Sequence, residues 1–495
     1  MKSIVSSWEA ELKLQQILIV SAATLIFCVS CTRAQEQQSQ GDPSAPISPL
    51  TPQNNNDSSN RQAPVPAARG LFPSANSQDQ GAGQIQPDTH LLSGGETAGL
   101  GSLNGLRNLF DPSLRLAESV DTGVAIGHAD SMTLLGGNVT FDWHSTRYHL
   151  IALYSGAKSF YYPDSSYSQA YHNFGISQEI QWGRWTLHLR DSLVASPGSS
   201  FGGLYTGMAG STGQSGALTN IAPTLSSGQT ILTGQVNSLN NTAMSEIDYA
   251  VSRRTAVTFT GSYGLINFLG QGYLDSHSVS GSVGYNYALD SKNSFAITYN
   301  YSRTSFTANG NLMQTHLAQI GFGRKITGRL AFQVSAGPQL LQLHNYGSST
   351  GLRWTWSVSS ALTYQMTRIT GFNFSYFHGT TAGSGVFLGA ESDTVTGAIN
   401  HQFTRFWSAS VNAGYAHNSS LAPASTISNG YDTWYSGVSL FRQIGRQFRL
   451  GANYGLQQQG NSAGGCPVLS CGLPNSWRHL ATISLEWHPL ANRSE

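Results

Sequence analysis

Few residues in this chain have the types and spacing that catalysis requires. The best candidate for nucleophilic chemistry is His417-Asn418-Ser419, where a histidine lies two residues before a serine. A serine becomes a nucleophile only when it hydrogen-bonds to its base and an oxyanion site lies beside both. The sequence shows neither feature, and these residues fit a solvated loop. We therefore predict that the protein is not an enzyme and has no catalytic residue.

Metal and cofactor chemistry is equally poorly represented. The scattered histidines, which include His188 and His316, show no spacing that brings metal ligands together. Cys466 and Cys471 form a close pair in a turn-rich segment, without an accompanying histidine or second cysteine pair. In an exported chain such a pair favours a local disulfide over a metal site. The sequence predicts no metal and no cofactor.

The composition restricts the class of protein. Charged residues make up 10% of the chain, against about 25% in soluble domains, while aromatic residues make up 11%. The mean hydropathy of −0.20 excludes a bundle of membrane helices, and the aromatic content excludes a chain disordered throughout. A net charge of +1 gives no indication of nucleic-acid binding.

One segment indicates what the composition means. From Arg353 to Met366, apolar residues such as Trp354 and Trp356 alternate with small polar residues such as Thr355 and Ser357. Alternation with a period of two predicts a β-strand with one apolar and one polar face. The segment is long enough for the about 9–11 residues of a tilted strand that crosses a bilayer.

The same alternation repeats from residue 113 onward, and the strands are joined alternately by tight turns and long connections. The long connections are 159–168, 197–241, 266–277, 303–314, 343–352, 378–392, 417–431 and 458–475. This regular difference between connections is typical of outer-membrane barrels. We predict an all-β fold, a transmembrane antiparallel up-and-down β-barrel of about 18 strands (16–18) over 113–495. Pro338 interrupts one strand, and we expect it at a bulge or at the outer end.

The N-terminal part has a different character. An apolar run from Ile17 to Cys31 is too short to span a bilayer and fits a signal peptide over 1–34. The alternatives are an uncleaved anchor and a lipoprotein signal that uses Cys28 or Cys31. Residues 35–112 are rich in Gln, Asn, Ser and Pro, which predicts a disordered, low-complexity periplasmic leader. Leucines at every third position near 100–110 indicate either a short helix or a loosely ordered segment.

Six charged residues fall at positions that the alternation directs inward. They are Glu179, Arg190, Asp248, Arg353, Arg449 and Glu486. In one interpretation they line and tune a pore. In the other they form ordinary ion pairs at the rims of the barrel. The remaining inward positions are mostly small and polar, which predicts a largely neutral lumen.

The connection 197–241 contains no Asp, Glu, Lys or Arg and is long for a solvated loop, so we expect it to constrict or plug the lumen. Its Pro197–Gly203 segment contains Phe-Gly-Gly and resembles the third loop of the general porins, which narrows their channel. The architectural resemblance covers about 113–489. It implies a Gram-negative outer-membrane porin that transports small polar solutes by passive diffusion. The acidic residues of that loop are absent here, so the resemblance does not extend to ion selectivity.

The expected partners follow from this interpretation. They are outer-membrane lipid, the barrel assembly machinery, small polar solutes and a periplasmic partner for the leader, with no nucleic acid. The last strand ends in an aromatic residue, Trp487, as assembly signals do, although His488 to Glu495 follow it. The alternative function is that of a non-enzymatic outer-membrane component of a secretion or surface-polysaccharide export system.

Overall fold

A computed structural model of the chain describes twelve ranges of residues. They are 109–125, 128–162, 168–197, 237–269, 273–307, 310–345, 351–367, 369–383, 387–421, 430–445, 447–461 and 477–489. The predicted signal peptide, most of the predicted leader, the segment 198–236 and both Cys466 and Cys471 lie outside these ranges. Within the ranges, no helix has the length and apolar character needed to cross a membrane.

The described residues form 18 strands. They are β1 (Leu109–Ala125), β2 (His128–His144), β3 (Tyr148–Tyr162), β4 (Ala170–Trp182), β5 (Trp185–Pro197), β6 (Asn237–Ala250), β7 (Thr255–Phe268), β8 (Ser276–Ala288), β9 (Asn293–Phe306), β10 (Leu312–Thr327), β11 (Leu330–His344), β12 (Gly351–Thr367), β13 (Thr370–Thr381), β14 (Ala390–Thr404), β15 (Trp407–Ser420), β16 (Gly430–Ile444), β17 (Phe448–Asn461) and β18 (Trp477–Trp487).

The strands form a closed ring. Each strand pairs antiparallel with its neighbours in the chain, and β1 also pairs with β18, from Leu114 opposite Trp487 to Asp121 opposite Leu480. Closure leaves no free sheet edge. The predicted 18-stranded antiparallel barrel is thus confirmed.

The outer surface is apolar. Trp354 and Trp356 are 67% and 64% exposed, and Ile483 is 64% exposed, whereas the inward Ser357 is 3% exposed. Apolar side chains facing out and polar ones facing in reverse the arrangement of a water-soluble protein. A closed antiparallel barrel with such a surface is the architecture of outer-membrane proteins, which places this chain in the bacterial outer membrane.

The two ends of the barrel differ in their connections. At one end, here called the turn end, two to four residues join consecutive strands. Gly183 and Gly445 have φ angles of 61° and 65° in these turns, where a side chain would be strained. At the β8–β9 turn, Asp290 accepts hydrogen bonds from the Asn293 side chain and the Lys292 backbone, which lower the pKa of Asp290. The opposite end, the loop end, carries the long connections, except that two residues join β1 to β2.

The boundary predicted for the leader was four residues too late. β1 begins at Leu109, which pairs with Asp142, and Phe110 pairs with Phe141. For the segment near 100–110 the sequence left open a short helix or a loosely ordered segment. Its last two residues are in a strand, and the residues before Leu109 lie outside the described ranges. Pro112 obscured the alternation here. The outward positions of β1 are nevertheless mostly apolar, so the strand presents a lipid-facing side like its neighbours.

Pro338 lies neither at a bulge nor at the outer end, which corrects that prediction. It pairs with Trp356 in an uninterrupted β11–β12 register. On the β10 side the pairing stops at Gln339 and resumes at Ala336 without a change of register. A Cβ on the adjacent Gly337 would lie 1.8 Å from the Ala318 carbonyl oxygen. A short break in one ladder therefore accommodates the missing N–H group, and no extra residue is needed.

A repeated hydrogen bond encircles much of the outer surface. In each case a tyrosine hydroxyl bonds to a histidine or aspartate on a neighbouring strand. That histidine or aspartate pairs with the residue two positions after the tyrosine. The pairs are Tyr154–His172 (3.0 Å), Tyr299–His316 (2.8 Å), Tyr454–His479 (2.8 Å), Tyr376–Asp393 (3.0 Å) and Tyr415–Asp432 (2.6 Å). We call these residues the tyrosine band. Aromatic girdles of outer-membrane barrels lie where lipid meets water.

Candidate functional site

The inner face of the barrel has two parts, and the first lies on β7–β15. Many of the inward side chains here are small, polar and partly exposed to solvent. We call this surface the hydroxyl face, and its members include Thr260, Ser262, Ser280, Ser282, Thr298, Ser302, Ser335, Ser359, Thr363, Ser375 and Thr396. Hydroxyls on adjacent strands bond to each other, as Ser262 does to Ser280 and Ser335 to Ser359, both at 2.6 Å. The surface therefore offers water a continuous set of donors and acceptors.

Charge is confined to the two ends of the hydroxyl face. Among the described inward residues of β7–β15, Lys325 near the turn end and Arg353 near the loop end are the charged ones. A cavity of about 180 Å³ lies in the loop-end half and is bordered by Asn300, Thr315 and Gln339 among others. The middle of this surface can hydrogen-bond a neutral polar molecule without imposing a charge preference.

The second part of the inner face is titratable. It lies near the turn end of β17, β18 and β1–β6. Its members, which we call the turn-end arc, are Asp111, Arg115, Asp142, His144, His149, Glu179, His188, Arg190, Glu246, Asp248, Arg449 and Glu486. Five of the six charged residues predicted to line the lumen belong to it: Glu179, Arg190, Asp248, Arg449 and Glu486.

Glu486 is the centre of one row of the turn-end arc. Arg115 and Arg449 stand directly opposite it on the two neighbouring strands. Glu486 is 3% exposed and accepts a hydrogen bond of 3.2 Å from Ser113. A buried carboxylate is tolerated only when charges and donors surround it, and this row supplies both.

His188 is the centre of the other row. Its Nε2 atom lies 3.5 Å from Asp248 Oδ2, and its Nδ1 atom lies 3.9 Å from Glu179 Oε2. Glu246 stands directly opposite His188 on β6. Thr258 donates a 2.9 Å hydrogen bond to Asp248, which continues the polar contacts onto β7. Carboxylates and an imidazole therefore adjoin across three consecutive strands, and Thr258 extends the polar contacts to a fourth.

His488 joins the end of the chain to its first strand. It directly follows β18, with Nδ1 3.3 Å from Asp111 Oδ1 and Nε2 3.5 Å from Glu486 Oε1. Burial lowers the pKa of His488, but hydrogen bonds and charges of the two carboxylates outweigh burial and raise it to about 9. The imidazolium thus links the two strands that close the barrel.

Arg353 is separated from the other five predicted residues. It lies near the loop end, and its guanidinium is 2.8 Å from Glu391 Oε2. Thr355 donates a 2.9 Å bond to the other oxygen of Glu391. Glu391 is on β14, so these side chains connect β12 to β14 in a stretch where β12 and β13 are not paired, because the β12–β13 pairing stops at Val358.

Sequence reasoning missed several members of the turn-end arc. Asp142 and His144 flank the outward Trp143, and Arg115 lies between the outward Leu114 and Leu116. Since these apolar neighbours face outward, the residues next to them must face inward. This signal can be used only once β1 and β2 are recognised as strands. Glu246 was missed although Asp248, two residues later on the same face, was identified.

The His417-Asn418-Ser419 segment forms part of the outer surface. His417 Nδ1 is 2.8 Å from Asp432 Oδ1, and Asp432 also accepts the Tyr415 hydroxyl of the tyrosine band. Ser419 donates instead to the Glu391 carbonyl oxygen at 3.5 Å. Among the hydrogen bonds of the described residues there is none between Ser419 and His417, so the nucleophile–base contact is not formed.

No known protein family and no curated protein matches this chain. Solved structures that resemble it include Pseudomonas aeruginosa OpdQ, with 10% identity and a TM-score of 0.38 over 77% of this chain and 98% of that chain. Pseudomonas aeruginosa OccK2 (OpdF) in complex with glucuronate shows 8% identity and a TM-score of 0.41 over 77% and 98%. Acinetobacter baumannii OccAB4 shows 8% identity and a TM-score of 0.39 over 78% and 98%. Likenesses this weak do not identify a function.

Proposed function

We propose that this protein is a porin-like channel through which small polar solutes diffuse passively across the outer membrane, without catalytic chemistry. The observation that carries the proposal is the hydroxyl face, a solvent-accessible polar surface on the inside of a closed 18-stranded ring. Barrels of about 16–18 strands are wide enough to leave an aqueous channel. The small side chains of the hydroxyl face leave that space open and wet.

The charged inward residues would set the ion preference of the channel. The turn-end arc carries six carboxylates and three arginines, and this excess of carboxylates favours cations. Glu179, Asp248 and Glu486 contribute to the negative potential, and Arg190 and Arg449 reduce it. We place Arg353 in the same role at the loop end, where Glu391 offsets its charge.

The surroundings of the barrel supply its other partners. The apolar outer surface contacts outer-membrane lipid, with the tyrosine band at the boundary between lipid and water. We infer that the barrel assembly machinery recognises β18, in which exposed and buried residues alternate up to the outward Trp487. The leader would extend into the periplasm, where both chain ends of an even-stranded barrel lie.

Single-channel recording in planar bilayers tests the proposal. Ser375 and Phe374 are neighbours on β13 that face opposite sides: Ser375 belongs to the hydroxyl face and Phe374 is on the outer surface. Ser375→Trp should lower the conductance because an indole then occupies part of the lumen. Phe374→Trp adds similar bulk towards lipid and should leave the conductance at the wild-type value.

Two results would contradict the channel. The first is equal conductance in both variants and the wild type, which would place the ion path elsewhere. The second is a wild-type protein without conductance that still has none after deletion of 198–236, because the predicted constriction has then been removed. The second result would favour the secretion or surface-polysaccharide export alternative.

A further inference from the structure

Three side chains of the turn-end arc converge on one point between β2 and β3. His149 Nε2 lies 3.0 Å from Asp142 Oδ1, and His144 Nε2 lies 3.3 Å from the same oxygen. The two imidazole rings are stacked, with centroids 3.7 Å apart. The three ligand atoms all lie within 4.8 Å of one another. We propose that Asp142, His144 and His149 bind one divalent transition-metal ion of the Zn²⁺ class.

The distances suit such an ion. Zn²⁺ binds imidazole nitrogen and carboxylate oxygen at about 2.0–2.2 Å, so the ligand atoms at two corners of a tetrahedron are roughly 3.3–3.5 Å apart. The contacts of 3.3 and 3.0 Å are at or slightly below this range, and a small outward movement of both rings would admit the ion. The rings are now inclined by 22°, and coordination would increase that angle so that both nitrogen lone pairs face the metal.

The chemistry of the ligands selects the metal. Two of the three donors are imidazole nitrogens, which Zn²⁺, Ni²⁺ and Cu²⁺ accept, whereas Ca²⁺ and Mg²⁺ prefer oxygen donors. Asp142 is buried, while the side chains of His144 and His149 retain 26% and 17% exposure, so an ion can enter from the lumen. Three protein ligands would leave the fourth tetrahedral position to water or to a solute.

Glu179 lies where it can support the site. It stands directly opposite His149 on β4, on the same inner face. Metal-bound imidazoles commonly donate their second N–H to a carboxylate, which fixes the ring and strengthens the bond to the metal. The proposed site therefore includes a positioning residue as well as three ligands. It does not depend on whether the barrel conducts.

The test uses the purified full chain, without an affinity tag, folded in detergent, with Zn²⁺ and Co²⁺ as probes. Calorimetry with Zn²⁺ measures stoichiometry and affinity, and the visible absorption of bound Co²⁺ reports tetrahedral coordination. We expect one tight site in the wild type. Asp142→Asn and His149→Gln should each weaken binding by more than about 100-fold, and Glu179→Gln by about 10–100-fold.

Two further variants serve as controls. His172→Gln removes a histidine of the tyrosine band on the outer surface and should leave the affinity unchanged. His188→Gln removes the histidine of a second convergent group, His188, Glu246 and Asp248, and should also leave the tight site intact. Electrophoretic mobility before and after heating verifies that each variant is folded. The proposal is overturned if the wild type binds no metal tightly, if both ligand variants retain wild-type affinity, or if His188→Gln alone removes the site.

Discussion

His488 offers a pH-dependent test of how the barrel closes. The imidazolium contacts Asp111 of β1 and Glu486 of β18, and the pKa of His488 is raised from 6.5 to about 9. Because the folded barrel favours the protonated form, the stabilisation is complete below pH of about 6.5. It declines as the pH rises towards 9 and is absent above that value.

The expected magnitude follows from the two pKa values. A rise from 6.5 to about 9 corresponds to roughly 3 kcal/mol in the free energy of unfolding, at 1.36 kcal/mol for each unit of pKa. Glu486 keeps Arg115 and Arg449 as neighbours when the imidazolium is lost, and these cations compensate in part, so we expect about 1–2 kcal/mol. His488→Gln should lower stability by this amount at about pH 6 and by almost nothing at about pH 10.

Urea unfolding in detergent, followed by tryptophan fluorescence, measures the effect. The informative quantity is the difference between wild type and His488→Gln at each pH, because groups that titrate equally in both proteins cancel. His172→Gln, on the outer surface, controls for the loss of any one histidine. A difference that stays constant from about pH 6 to about pH 10, or that grows with pH, would refute the reasoning.

Three further predictions concern the barrel wall and the lumen. Arg478 and Asp121 form a buried ion pair across β18 and β1, with two hydrogen bonds of 2.9 and 2.6 Å. Arg478→Met leaves Asp121 buried without this partner and should lower the free energy of unfolding by about 3–5 kcal/mol in urea titrations. An unchanged unfolding midpoint would contradict this prediction. Gly337→Ala places a Cβ against the Ala318 backbone and should reduce the yield of folded barrel in refolding assays, whereas Gly328→Ala, with nothing within 4 Å, should refold normally. Arg449→Gln removes one of the three arginines of the turn-end arc, so the reversal potential in a salt gradient should move towards cation selectivity; movement towards anion selectivity would contradict the proposed role.

The sequence contained most of the fold because alternation and turn chemistry are local properties. Lipid requires apolar residues at every second position, so segments such as 353–366 report both strand and orientation. The alternation failed to locate β1 correctly because Pro112 occupies one of its outward positions. The position of Pro338 was mispredicted because a proline fits inside a strand when the neighbouring strand leaves its hydrogen-bond position unpaired. β10 does so here, and no local sequence pattern reveals it.

The candidate site was predicted less completely, for a related reason. Parity assigns Glu179, Arg190, Asp248, Arg353, Arg449 and Glu486 to the inner face, but it does not give their heights or their neighbours. The strand register gives both. It separates Arg353 from the other five residues and places Glu179 beside both His149 and His188. Cross-strand contacts between residues that are remote in sequence, such as Glu486 with Arg115, arise only when the ring closes.

The tyrosine band repeats one arrangement in two neighbouring hairpins. Tyr376, His378 and Asp393 make the same three-residue arrangement as Tyr415, His417 and Asp432, with each aspartate accepting both other side chains. Every member of the second set lies 39 positions after its counterpart. Because spacing and bonding are identical, the two adjacent hairpins carry the same aspartate-centred group at corresponding positions of the barrel wall. Each group ties two paired strands together through side chains as well as through the backbone.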